Sequence, residues 1–316
     1  MQNLGESMHN SILFDSDITD AQRREMLFQG VLFVYSPNQA SLTLCEFAKE
    51  LIKEHFQGMD PLTAQHEMDV DEYAAILGKL KPTFIHHPES KRLVRRLLES
   101  HGVDTELTYC DVPKMRSSTS NGYLTTGIAY AWHPHRDTWY SAPMAQINWW
   151  TPIYPIAQDN CMAFHPQYFS QAVKNTSSGY NYYVWNTKYR GAVVTKLTKT
   201  DNRPLPRASE PLQLEPQIKV VCPVGGLVLF SGQHMHSSVP NTSGVTRFSI
   251  DFRTVHQFDL EQERGAPNVD VQCGGTALRD FLRAADQVAL PDKLIAKYDD
   301  GTSELGEAIY RPEQKI

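Results

Sequence analysis

Two runs decide the fold: GLVLFSG at residues 226–232, followed at once by His234, Met235 and His236, and RFSIDFRTVH at residues 247–256. Both are dense in β-branched and aromatic residues, which is the composition of strands, and most runs of this kind in the chain are bounded by Gly, Pro, Asn or Ser. Working outward from them, the same signature recurs in ELTYCDV (106–112), GYLTTGIAYAW (122–132), MAQINWWTPIY (144–154), DNCMAF (159–164), NYYVW (181–185), GAVVT (191–195) and IKVVCPV (218–224). Eight or nine strands without helical spacers specify an antiparallel sandwich or jelly roll rather than a βαβ sheet. The Pro- and charge-rich segment Lys196–Glu215 reads as a surface excursion between strands.

Upstream the pattern changes. VLFVYS (31–36) is a short strand, and Ser36-Pro37-Asn38-Gln39 reads as a helix start with Pro first and Gln placed for a capping box. Leu44, Phe47, Ala48, Leu51 and Ile52 then give that helix one buried stripe to about Phe56. A second helix begins near Ser90 with Leu93, Val94, Leu97 and Leu98 on one face, and stops at Gly102. Leu278, Phe281, Leu282 and Ala285 predict a last helix over Thr276–Gln287. The expected architecture is α+β, mainly β, as one domain over 1–316: a helical buttress (1–104), a jelly-roll core (105–256) and a C-terminal helical segment (257–316).

Of 316 residues, 41% are hydrophobic and 21% charged, enough for a large core. Thirty Lys+Arg against 36 Asp+Glu leave a net charge of −6 with no long basic run to compensate, which argues against a nucleic-acid partner. No apolar stretch approaches the ~18 residues of a membrane span, and the first fourteen residues lack a basic and then apolar leader, so a cytoplasmic protein without a membrane partner is expected. Five scattered cysteines without a CxxC read as reduced thiols.

The chemistry-bearing residues cluster around the strands. In extended backbone, residues i and i+2 share a side, so His135 and Asp137 at the end of GIAYAW can hold one metal ion while Arg136 points away. Alone this is weak, because chance supplies roughly one such triplet in a chain of this composition. His236 adds a third ligand of the right kind, and two His with one carboxylate on one face leave three open positions, the facial triad of non-haem Fe(II) oxygenases. Eleven residues on, Arg247 shares a face with Ser249, Asp251 and Arg253 by the two-residue period, and its planar fork suits a carboxylate such as the far end of 2-oxoglutarate. His234 competes with His236, and an HxH pair of His133 with His135 would suit a cupin; His86, His87 and His165 read as hydrogen-bonded structural groups.

Taken together, HRD at 135–137, GLVLFSG leading into His236-Ser237-Ser238-Val239-Pro240-Asn241-Thr242-Ser243, and Arg247 resemble the phytanoyl-CoA dioxygenase-like branch of the Fe(II)/2-oxoglutarate oxygenases. The resemblance directly covers about residues 125–255. It implies a double-stranded β-helix (jelly roll, cupin-like) with His135, Asp137 and His236 as catalytic iron ligands. Arg247 is then the partner of the 2-oxoglutarate C5 carboxylate, and Ser249 the helper hydroxyl. It further implies Fe(II), 2-oxoglutarate and O2 as cofactor and co-substrates, with release of succinate and CO2 as an unactivated C–H is oxidised. Because halogenases of this fold replace the carboxylate ligand by a small residue, Asp137 favours hydroxylation, desaturation or cyclisation. The chain departs from the family where many members have Gly-Ser-His, having Met162-Ala163-Phe164-His165-Pro166.

Gln146 and Asn148, alternating toward the face of Trp150, are candidates for the co-substrate's C1 end or the substrate, with buried structural amides the alternative. Trp139, Tyr140 and Arg253 are candidates for the substrate pocket. The expected partner is a small metabolite, an amino-acid derivative or natural-product intermediate, and the chain as monomer or homodimer is left open. Two other classes fit the histidines less fully. A cupin-like Zn(II) or Mn(II) isomerase or hydrolase gives Arg247 no co-substrate, and a non-catalytic jelly roll gives Asp137 no purpose.

Overall fold

The computed structural model describes residues 11–129, 133–189 and 204–299. Strands β1 (Ile12–Phe14), β2 (Leu32–Tyr35), β3 (Thr108–Cys110), β4 (Lys114–Ser118) and β5 (Ile147–Pro152) are followed by β6 (Met162–Phe164) and β7 (Ile218–Val220). Then come β8 (Leu227–Ser231), β9 (His236–Ser238), β10 (Arg247–His256) and β11 (Leu282–Arg283). The large sheet runs β1-β2-β8-β5-β10-β3-β11, with β4 also paired to β10, and the small one runs β7-β6-β9. All pairings are antiparallel except β1 with β2. The two sheets are separate ladders, the open form of the expected jelly roll.

Side-chain alternation sorts the large sheet's two faces. Phe33, Trp149, Leu227, Leu229, Phe248, Ile250 and Phe252 pack with the helices α1 (Asp20–Phe28), α2 (Gln39–Phe56), α3 (Val70–His86) and α4 (Pro88–Ser100). Leu32, Val34, Trp150, Val228 and Phe230 face the other way and pack against Met162, Phe164 and Val220 of the small sheet. Each fully buried Leu, Val or Phe in these layers contributes about 1.5–3 kcal/mol relative to exposure. On β10 this alternation leaves Arg247, Ser249, Asp251 and Arg253 on the face away from the helices, where they line a cavity.

Several local expectations are corrected. The α2 helix starts at Gln39 rather than Pro37, because Asn38 caps it: the Asn38 carboxamide oxygen accepts from Ser41 N–H at 2.9 Å, and the Ser41 hydroxyl accepts from Asn38 N–H at 3.0 Å. NYYVW is helical, not extended. Asn181 accepts from the N–H groups of Tyr183 and Val184, starting a turn at Tyr182–Val184 that continues as a π turn over Trp185–Tyr189. Within 122–129 the expected strand is replaced by a 3-10 turn at Gly127–Ala129, after a left-handed Gly122; Tyr130, Ala131 and Trp132 lie outside the described residues. GAVVT also lies outside them, as do residues 196–203.

At the C-terminal side, Thr276–Gln287 is not a helix but a 3-10 turn, Ala277–Asp280, followed by β11. The exposed edge of β3 offers ladder partners to Leu282 and Arg283; of the expected stripe only Leu278 and Phe281 reach the core, with Ala284 taking the place of Leu282 and Ala285. The described part of the 196–215 excursion is not wholly on the surface, since Leu205 is buried and lines the cavity. Among the described residues no helix is long and apolar enough to cross a membrane.

Candidate active site

The cavity has a volume of about 450 Å³, within the ~300–1,000 Å³ range of small-molecule sites. His135, Asp137 and His236 meet in its wall. His135 is not at the end of a regular strand: it forms an isolated antiparallel bridge with His236, His135 N–H donating to the His236 carbonyl and the reverse, each at 3.0 Å. This bridge, with β9 itself laddered to β6, sets the two imidazoles side by side, ring centroids 4.3 Å apart.

Asp137 opens a 3-10 turn, Asp137–Tyr140. In that geometry residues i and i+3 align while i+2 turns away, so Tyr140 joins Asp137 in the cavity wall and Trp139 does not. Extended backbone would have done the opposite, and the expected role of Trp139 in the pocket is corrected accordingly. Trp139 is fully buried behind the site with Tyr168, Val173 and Met235, its indole N–H donating to Asp270 at 2.8 Å. Arg136 does point away from the cavity, as the spacing requires. Fully buried, it donates to Asp270 at 3.1 Å and to the carbonyls of Gln233 and Gln171 at 2.8 Å each, pinning the ligand-bearing turn.

The donor atoms of His135, Asp137 and His236 all lie within 4.8 Å of one another, a cluster that could hold a metal ion. His135 Nε2 is 3.4 Å and His236 Nε2 3.8 Å from Asp137 Oδ1. The tautomers are set by hydrogen bonding: His135 Nδ1 lies 2.7 Å from the His133 carbonyl and His236 Nδ1 lies 3.0 Å from the His234 carbonyl. A carbonyl can only accept, so each Nδ1 carries the proton and each Nε2 offers its lone pair to the centre. Burial, reinforced by His135, pushes the His236 pKa down to about 3, keeping that ring neutral.

Burial alone would raise the Asp137 carboxyl, but Arg253 and then the two histidines outweigh it and hold it well below its ordinary range. Its second oxygen, Oδ2, accepts from Gln146 Nε2 at 3.1 Å and Arg253 Nε at 3.4 Å, which leaves Oδ1 for the centre. Gln146 also donates to Asn148 Oδ1 at 2.9 Å. His234 is turned away, its Nε2 3.0 Å from the Gly30 carbonyl, and His165 lies between the Leu214 carbonyl and the Ser237 hydroxyl.

Arg247 sits in the same cavity and is buried. Asn241 places it: its side-chain amide donates to the Ser118 and Val245 carbonyls at 2.7 and 2.8 Å, tying the turn before β10 to β4. The guanidinium donates to the carbonyls of Asn160 and Cys161 at 2.8 and 3.0 Å and to the Ser238 hydroxyl at 3.2 Å. Among the described residues its Nε has no partner, and neither does the buried Ser249 hydroxyl two residues along the strand. Burial brings the Arg247 pKa down to about 10, so the group remains charged at neutral pH, and among the described residues no carboxylate lies at hydrogen-bond distance from it. Unsatisfied buried donors are costly, and both belong to residues that line the cavity, where a carboxylate that reached them would complete their hydrogen bonding.

The sequence reading missed the opposite end of the cavity, lined by Lys81, Asp111, Lys114 and Arg116. The available signal was the alternation Lys114, Arg116, Ser118, which pairs across with Asp251, Ser249 and Arg247.

The profile of the family described as phytanoyl-CoA dioxygenase (PhyH) matches residues 43–249, more than half of the chain and the stretch containing His135, Asp137, His236, Arg247 and Ser249. No curated protein matches at comparable stringency. Among solved structures, EvdO2 from Micromonospora carbonacea var. aurantiaca is 11% identical with a TM-score of 0.35, over 55% of this chain and 62% of its own. The chain thus spans less than two thirds of that relative. ThoJ, a non-heme monooxygenase in its apo form, is 12% identical with a TM-score of 0.38 over 82% of this chain and 85% of its own. The epimerase SnoN, in complex with Fe3+, alpha ketoglutarate and nogalamycin RO, is 14% identical with a TM-score of 0.37 over 75% and 85%.

Proposed function

The chain belongs to the phytanoyl-CoA dioxygenase family, and with the geometry of its cavity we propose that it is an Fe(II)/2-oxoglutarate-dependent dioxygenase that hydroxylates an unactivated C–H of a small metabolite. The observation that carries this reading is the pair of orphaned donors, Arg247 Nε and Ser249 Oγ, in the same cavity as the three-residue metal cluster. His135, Asp137 and His236 would hold the iron, and Arg247 with Ser249 would hold the distal carboxylate of 2-oxoglutarate. Bound together, these groups would supply the oxidising chemistry in which 2-oxoglutarate and O2 give succinate and CO2, one oxygen atom of O2 ending in succinate and the other in the hydroxyl formed on the substrate.

The chain's own residues provide position and exclusion of water. Gln146 and Arg253 orient Asp137 so that one oxygen faces the centre. Phe230 packs on the His236 ring, centroids 4.8 Å apart, and Tyr140 meets the His135 ring edge-on at 5.7 Å, keeping the imidazoles in place and their surroundings apolar. A cupin-like hydrolase or isomerase would leave the Arg247 and Ser249 donors without a ligand.

With Fe(II), 2-oxoglutarate, ascorbate and air, the protein is expected to form succinate. EDTA should stop the reaction, and Fe(II) but not Zn(II) should restore it. Succinate formation that Zn(II) supports equally, or none across a broad screen of small metabolites, would overturn the assignment.

A further inference from the structure

The end of the cavity beyond Arg253 is a charged network with one cation too many. Asp251 takes Arg116 in a two-pronged pair, at 2.5 Å to Nε and 3.2 Å to a terminal nitrogen, and also Arg253 at 3.1 Å. Asp111 takes Arg253 at 3.3 Å and Lys114 as well. Both carboxylates are therefore shared between two cations. Lys81, delivered to the same cavity from α3, is buried and donates to the Ile128 carbonyl, but it meets no carboxylate within ion-pair distance among the described residues. The Lys81 ammonium feels Arg116 as a repelling neighbour and Asp251 as a weaker attracting one, and burial with that repulsion pulls its pKa to about 7.

Among the described residues of this network, Lys81, Lys114, Arg116 and Arg253 stand against Asp111, Asp251 and Asp137, whose second oxygen Arg253 also reaches at 3.4 Å. An uncompensated buried ammonium is expensive unless a ligand neutralises it. The excess is one positive charge when Lys81 is protonated, the match for a single carboxylate rather than a polyanion. The wall of the same cavity carries Tyr140, Tyr180, Tyr182 and Trp185, with Tyr140 and Tyr180 rings 5.4 Å apart and Tyr180 and Trp185 6.0 Å apart. Such a wall favours a flat or aromatic body.

We propose that Lys81, beside Arg116, is an anion subsite that selects monocarboxylate substrates with an aromatic or comparably apolar body, anchoring the acid group at the end of the cavity away from Arg247. This deepens, and rests on, the oxygenase reading. Lys81 is then a specificity residue that touches substrate but takes no part in holding iron or 2-oxoglutarate.

The test is calorimetric. The Fe(II)-loaded protein, saturated with 2-oxoglutarate under anaerobic conditions, is titrated with 3-phenylpropanoate, 4-phenylbutanoate and 5-phenylpentanoate and with the primary amide of each. In the wild type at least one acid is expected to bind about tenfold or more tightly than its amide, the scale of one charge-assisted contact. Lys81→Met should reduce that preference to about threefold or less, and Lys81→Arg, which keeps the charge, should retain most of it. The 2-oxoglutarate affinity, read from its visible absorption with iron, should be the same in all three proteins. Equal binding of acid and amide, no binding by any acid, or an unchanged preference in Lys81→Met overturns the subsite. An acid preference that depends on Lys81 in a protein forming no 2-oxoglutarate chromophore would support the subsite while overturning the oxygenase reading, so the two failures are separable.

Discussion

Replacing Asp137 with alanine is expected to abolish turnover and strip the protein of iron, while Asp137→Asn, which keeps the shape and most hydrogen bonding, should lose activity to a similar degree and still fold. Asp137 is the one anion in the His135, Asp137, His236 cluster, and two neutral imidazoles alone hold a divalent ion poorly. Truncating one member of a buried charge pair costs about 2–5 kcal/mol or more, a weakening of about 30- to 4,000-fold. The loss should lie toward the upper end, because alanine also removes the acceptor that Gln146 and Arg253 share at Oδ2. Iron content by elemental analysis and succinate formation check it together. A variant with full iron and full activity would mean that Asp137 is not a ligand.

Arg247→Ala should act on the co-substrate instead. Two charge-assisted hydrogen bonds to a carboxylate, at about 1.5–3 kcal/mol each, correspond to a rise in the 2-oxoglutarate requirement of about two to four orders of magnitude. Iron binding should be unaffected. Since the guanidinium also satisfies the Asn160 and Cys161 carbonyls, alanine should lower thermal stability too. Arg247→Lys, which keeps a charge but loses the fork, separates the two effects: it should recover part of the 2-oxoglutarate affinity. The KM for 2-oxoglutarate under saturating O2, with a melting curve for each variant, decides the matter; an unchanged KM in Arg247→Ala would remove the arginine from the co-substrate site.

How much of this was legible in the sequence depended on the distance over which each feature is determined. The β10 alternation put Arg247, Ser249, Asp251 and Arg253 on one face from their spacing alone, and the structure sets all four in the cavity. The meeting of His135, Asp137 and His236 was legible as residue types at suggestive spacings. Its backbone was not: a strand was expected, yet an isolated bridge and a 3-10 turn carry the pair. That difference placed Asp137 correctly and Trp139 wrongly, because both backbones bring His135 and Asp137 together but only the extended one carries residue 139 along. Asn181 overrode the aromatic, strand-like character of Tyr182–Val184 through two cap hydrogen bonds. Lys81 was invisible for a different reason. On α3 it looks like any helix-surface lysine, and only the packing of α3 against β4 brings it to the cavity.

The central claim is that this cavity binds Fe(II) and 2-oxoglutarate together. Anaerobic titration of the Fe(II)-loaded protein with 2-oxoglutarate measures this directly, through the weak visible metal-to-ligand band of the chelate. The account predicts a saturable band in the wild type and its loss in His236→Ala. A wild-type protein that binds the metal yet never develops the band on adding 2-oxoglutarate would contradict it.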